Sequence, residues 1–187
     1  MGEELPFPVL KRASRALATV EERLAAILAA VVFLLLLGNI VTRSAGMAVF
    51  WIDEAAVLAM VWMAFFAASS AIERGSNIAV TLFSDALPLL GRRLAAVAVD
   101  GIMLLFILGF ALMVWRWFDP LGVLAAGGDL EEFSATTFNF IYSEPTQSLD
   151  MPKFWFWTVL PLFVLGASFH CLSNLLSSLG VLLGKGR

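Results

Sequence analysis

Four apolar runs, each long enough to cross a bilayer, constrain this chain more than any other feature. A spanning helix needs about 20 mostly apolar residues. Residues 24–42, 54–72, 94–117 and 154–176 meet that need. A soluble bundle would require a polar stripe along every helix, yet Val31–Gly38 and Gly101–Trp115 carry no charge on any face. Composition agrees: 60% of residues are hydrophobic and 14% charged, where soluble domains run at about 45–50% apolar. The expected fold is an all-α integral membrane domain over residues 1–187, with four transmembrane helices in a lipid bilayer. The N-terminus does not read as a cleaved signal peptide, because the first long run starts near Leu24 and no small-residue cleavage site follows it.

Basic residues set the expected direction, since Lys and Arg concentrate on the cytoplasmic side. Lys11, Arg12, Arg15, Arg23, Arg74, Arg92, Arg93, Lys185 and Arg187 fall on one side of the four spans, against Arg43, Arg116 and Lys153 on the other. Both termini are therefore expected in the cytoplasm. Trp51, Trp115, Trp117, Trp155 and Trp157 fall at the outer ends of their spans, where an indole buries its ring and keeps its N–H wet.

Two segments outside the spans read as amphipathic. In residues 1–23, Leu10, Ala13, Leu17, Val20 and the adjoining Leu24 recur at helical spacing, with Lys11, Arg12, Arg15 and Glu22 off that stripe. In residues 77–92, Ile78, Leu82, Ala86 and Leu90 step by four, and Pro88 is expected to kink or end the helix. Helices of this kind lie in the headgroup layer. The connection 118–151 is long and acidic, with Asp119, Asp129, Glu131, Glu132, Glu144 and Asp150. Asp129 followed by Glu132 predicts the start of a short helix. Phe133, Phe138, Phe140 and Tyr142 are expected to pack on the outer face, the alternative being contact with a partner.

Catalytic and cofactor chemistry lacks the residues it would need. His170 is the only histidine and Cys171 the only cysteine, so bis-histidine haem and zinc patterns are ruled out. No phosphate-binding glycine loop is present, and a net charge of −3 gives no reason to expect nucleic acid. The chain is expected to be no enzyme and to hold no cofactor or metal of its own. His170 lies on a face with Gly166, Ser173 and Ser177, beside Asn174; it is expected to be hydrogen-bonded within a helix–helix contact, with a proton relay as the alternative reading. Asp100 stands inside the third span, and intramembrane carboxylates are costly; Arg93, seven residues earlier, is its expected ion-pair partner unless another subunit supplies one. Asp53 and Glu54 open the second span, where a helix N-terminus favours carboxylates, with Arg43 as a partner for one of them. A transporter acting alone commonly has broken helices and polar groups at mid-membrane, and these four spans look too dry for that.

The run Trp51-Ile52-Asp53-Glu54, then Trp62, then Glu73-Arg74-Gly75-Ser76-Asn77-Ile78-Ala79-Val80, then Leu87-Pro88 resembles the small, Q-type membrane subunit of tripartite ATP-independent periplasmic (TRAP) transporters. Met151-Pro152-Lys153 and Pro161 fit the same pattern, while Asn77 stands where the family often has His. The resemblance implies a bacterial inner-membrane scaffold without transport activity of its own. Its partners would be a large multi-span transport subunit, holding the substrate and sodium sites, and a periplasmic solute-binding protein that delivers an organic acid. Trp51, Glu54, Trp62, Arg74 and Pro88 are the matching positions, with structural or subunit-contact roles implied. Two other readings compete: a self-sufficient dimeric exporter relying on Asp100, and a membrane anchor of a respiratory enzyme.

Overall fold

The structure is a computed structural model, and it describes residues 7–75 and 87–184. Four helical stretches are long and apolar enough to cross a membrane. Helix α1 spans Pro8–Ser44, α2 Phe50–Arg74 and α3 Leu89–Phe118. Short helices α4 (Pro120–Ala125) and α5 (Leu130–Thr137) follow, then α6 (Phe154–Trp157) and α7 (Val159–Leu182). No strand forms among the described residues; Pro145 and Pro152 make an isolated bridge.

Local chemistry sets the ends. Pro8 is the first residue of α1, where its missing N–H costs nothing. At the other end the Gly46 N–H donates to the Arg43 carbonyl at 3.0 Å and the Met47 N–H to Thr42 at 2.9 Å. This closure needs a left-handed residue, and Gly46 supplies it at φ 75°. Pro161 has no N–H for the Trp157 carbonyl, which accounts for the interruption at Thr158 between α6 and α7.

Several expectations need correction. The N-terminal amphipathic segment is not a separate headgroup-layer helix within the described residues; it continues into the first span as one 37-residue helix. The face it buries within the protein is not the apolar stripe but the small and polar one beside it. Ser14, Ala18 and Glu21 are buried, whereas Val20 and Leu24 are exposed. In a lipid solvent, apolar side chains gain little by turning inward and polar ones gain partners there. The helices extend past the apolar runs at one end or both, because helix continues through flanking polar residues. In the 77–92 segment, residues 77–86 lie outside the described residues, as does any helix there that Pro88 would kink or end; Pro88 directly precedes α3, which takes in residues 89–92.

The 118–151 connection folds as a structured cap. The Asp129 carboxylate accepts from the N–H groups of Glu131 and Glu132 at 2.9 and 3.1 Å, so α5 starts where the sequence predicts. Phe133 is fully buried and Tyr142 half-buried, but Phe138 and Phe140 are exposed at 79% and 56%; only half of the aromatic expectation describes this cap. The Tyr142 hydroxyl donates to the Phe118 carbonyl at 2.6 Å.

The chain divides into two compact units. The first comprises Met1–Glu22, Ala67–Phe110 and Phe163–Arg187; the second comprises Arg23–Phe66 and Ala111–Leu162. The first unit buries polar side chains (Ser14, Glu21, Ser69, Glu73, His170, Ser173) beside apolar ones such as Ile107, Phe163 and Val164, while the second buries Ile52, Ala56, Val114, Phe133 and Val159 beside Asn39, Ser134 and Thr146.

Candidate functional site

The polar centre of the first unit is built by helical spacing. Ser14, Ala18 and Glu21 step by four and three along α1, Ser69 and Glu73 by four along α2, and His170 and Asn174 by four along α7. Each set falls on one helix face. Gly166, one turn before His170, makes room: a Cβ there would fall on the Glu21 carboxylate and 3.0 Å from Ser69 Oγ.

These side chains form one connected network. His170 is fully buried. Its Nδ1 is 2.7 Å from Ser14 Oγ and its Nε2 is 3.0 Å from Glu21 Oε2. Ser69 donates to the other Glu21 oxygen at 2.8 Å. Ser14 donates to Glu73, whose second oxygen lies 2.9 Å from Lys11 Nζ and 3.8 Å from Arg15. Lys11 also donates to Asn174 Oδ1 at 2.6 Å, and Asn174 Nδ2 donates to the Ile72 carbonyl at 2.8 Å. Buried polar groups persist only when partnered, and here the partners join α1, α2 and α7. Ser173 Oγ is the exception: it is buried without a hydrogen-bond partner among the described residues.

Asp100 departs from the expected pairing. Among the described residues it forms no ion pair with Arg93; Ser178 donates to it at 2.5 Å. Arg93 instead lines a cleft with Leu89, Arg92, Ser177 and Ser178. A cavity of about 480 Å³ is lined by Lys11, Arg15, Ala18, Thr19, Glu73 and Arg74. A second, of about 310 Å³, includes Lys11, Glu73, Asp100 and Asn174 in its wall. Arg74, a motif position, pairs with Glu22.

In the second unit the motif residues act as ties. Asp53 accepts from Asn39, and from Arg43 at 2.6 Å, as expected of one carboxylate of the pair. Glu54 binds a turn 93 to 95 residues away: the N–H groups of Gln147, Ser148 and Leu149 donate to it at 2.7, 2.7 and 3.2 Å, and the Ser148 hydroxyl at 2.7 Å. Convergent N–H groups of this kind make a cradle for an anion. Trp62 Nε1 donates to the Phe156 carbonyl at 2.7 Å, and Trp51 lies exposed at 46%. Glu144 pairs with Lys153 at 2.6 Å.

Sequence reasoning found His170, Asn174, Asp53, Glu54 and Trp62 but missed the roles of Ser14, Glu21 and Ser69. Glu73 it quoted only as part of a motif. The available signal was the Ser14–Ala18–Glu21–Ala25 spacing, a small-and-polar stripe running into an apolar helix. Among the described residues, no group of three or more His, Cys, Asp or Glu side chains is placed to hold a metal ion.

Known proteins narrow the reading. No curated protein and no solved structure matches the chain. The family model of the tripartite ATP-independent periplasmic transporters, DctQ component, matches residues 32–180. That match takes in the C-terminal third of α1, all of α2 and α3, the cap and nearly all of α7. The chain therefore belongs to the DctQ family and is the small, multi-pass inner-membrane component of a TRAP transporter, not an enzyme.

Proposed function

We propose that this chain is a fixed scaffold, bracing a large transport subunit during uptake of an organic acid delivered by a periplasmic binding protein. The driving force is an ion gradient, usually sodium, and the ion and solute sites belong to the large subunit. Both chain termini face the cytoplasm.

One observation carries the scaffold role. Ser173 apart, the buried polar side chains of the first unit's network fasten the chain to itself: Glu21, Ser69, His170, Ser14 and Glu73 bond one another, and Asp100 is held by Ser178. Carrying a solute calls for polar groups that exchange partners during the cycle. A brace calls for groups that do not. Family membership supports the two partners, and the excess of Lys and Arg on one side of the spans supports the orientation.

Reconstitution tests the proposal. Proteoliposomes holding this chain alone should take up no solute. Those holding it with its cognate large subunit, supplied with loaded binding protein and an inward sodium gradient, should take it up. Uptake by this chain alone, or full uptake by the large subunit without it, would refute the scaffold role.

A further inference from the structure

The contacts around His170 can be counted in hydrogens. Three run in series: Glu73 to Ser14, Ser14 to Nδ1, and Nε2 to Glu21. Each needs one hydrogen between its two heavy atoms. The Ser14 hydroxyl supplies one and a neutral imidazole supplies one, while two ionised carboxylates supply none. The series is one hydrogen short. Changing the tautomer only moves the gap. With Glu73 ionised beside Lys11, Ser14 gives its hydrogen to Glu73; Nδ1 then donates to Ser14, and the gap falls between Nε2 and Glu21. There a lone pair would face a carboxylate oxygen in a site where His170 is 0% and Glu21 5% exposed.

We infer that Glu21 and His170 bind one proton between them, making a buried proton-binding site that the scaffold role does not require. The charges around it agree. Lys11, Arg15 and Glu21 come from α1, Glu73 and Arg74 from α2, and Asp100 from α3. Arg15 and Arg74 are more than half exposed, and Arg74 is taken by Glu22. Asp100 accepts from Ser178, which leaves any charge on it in place, so it adds no positive charge to the set. That leaves Lys11, Glu21, Glu73 and His170 as the inner set. With a neutral ring and ionised carboxylates it carries one uncompensated negative charge; with the proton it is neutral. An unpaired charge in a dry site is costly. The bound proton is thus one of the fastenings between α1, α2 and α7.

The chain's single histidine makes the test direct. The full chain, purified without a histidine tag and placed in lipid nanodiscs, is labelled with 15N-histidine. Its ring is read by NMR at neutral pH, together with an infrared spectrum. Hydrogens on both ring nitrogens support the site. So does a hydrogen on Nδ1 alone, accompanied by a carboxylic-acid carbonyl stretch that survives Asp100→Asn and is lost in Glu21→Gln. A neutral ring without that stretch overturns the site. A hydrogen on Nε2 alone also overturns it, because it moves any extra proton to Glu73. The wild-type tautomer decides between Glu21 and Glu73 even where Glu21→Gln does not fold.

Discussion

Removing the charge of Glu73 tests the network most economically. Glu73→Gln keeps the side chain's shape and still accepts from Ser14, but it strips Lys11 of its counter-ion. Lys11 is 14% exposed and Glu73 3%, so solvent cannot replace what is lost. Breaking a buried pair from one side costs about 3–5 kcal/mol. Lys11 keeps Asn174 Oδ1 at 2.6 Å, which places the cost near the lower end, about 3 kcal/mol. Lys11→Met leaves Glu73 with Ser14 and a distant, exposed Arg15, and should cost a similar amount. The double variant leaves neither charge unpaired, so it should lie within about 1–2 kcal/mol of the wild type, because replacing both partners is often near neutral. The assay is equilibrium unfolding in mixed micelles, followed by circular dichroism as the denaturing detergent is raised. Single variants that each cost under about 1 kcal/mol, and whose effects add within about 0.5 kcal/mol, would refute the argument.

Gly166→Ala carries opposing effects. Alanine gains about 1 kcal/mol of helix propensity, but its Cβ displaces the Glu21 carboxylate, which is held by Ser69 and His170. Overpacking of this kind costs about 1–3 kcal/mol, so the variant should be less stable in the same micelle assay. In a Glu21→Ala background the sign should reverse. Tyr142 is the only tyrosine, so tyrosinate absorbance titrates a single group. Burial first, and the Asp119 charge second, push its phenol above the ordinary tyrosine value. The sign follows: the neutral phenol's contribution is fully present below about pH 10 and is lost as pH rises through the higher folded value. Tyr142→Phe should abolish that alkaline loss. Glu54→Gln should speed amide hydrogen exchange at Gln147, Ser148 and Leu149, read by mass spectrometry, and unchanged exchange there would count against the cradle.

What the sequence made legible follows from how a bilayer sorts side chains. The four spans are visible because hydrocarbon excludes charge, leaving runs such as Gly101–Trp115 without a charged residue. His170 is visible because polar residues on an apolar helix mark a protein contact, and Gly166, Ser173 and Ser177 share its face. Glu21 was hidden by its neighbourhood. It lies among Arg15, Glu22 and Arg23, where a carboxylate reads as part of a solvated face. Whether that face turns to water or to α2 and α7 depends on how far α1 continues. The Glu54 cradle was hidden by distance, since three of its four donors are backbone N–H groups beyond residue 146 that carry no side-chain signature, and the fourth is the Ser148 hydroxyl. The Asp100–Ser178 contact likewise joins residues 78 apart, so local spacing pointed to Arg93 instead.

The central claim is that this chain stays rigid while its partner moves, and a cross-link tests that most directly. Glu22 and Arg74 join α1 to α2, and both are about half exposed. In the complete transporter, with Cys171 replaced by Ala, Glu22→Cys and Arg74→Cys are bridged with a short cleavable bismaleimide, and sodium-driven uptake is measured in proteoliposomes. The scaffold account predicts the same uptake before and after bridging. Uptake that stops on bridging and returns when the linker is cleaved would contradict it, because α1 and α2 would then have to move apart for transport.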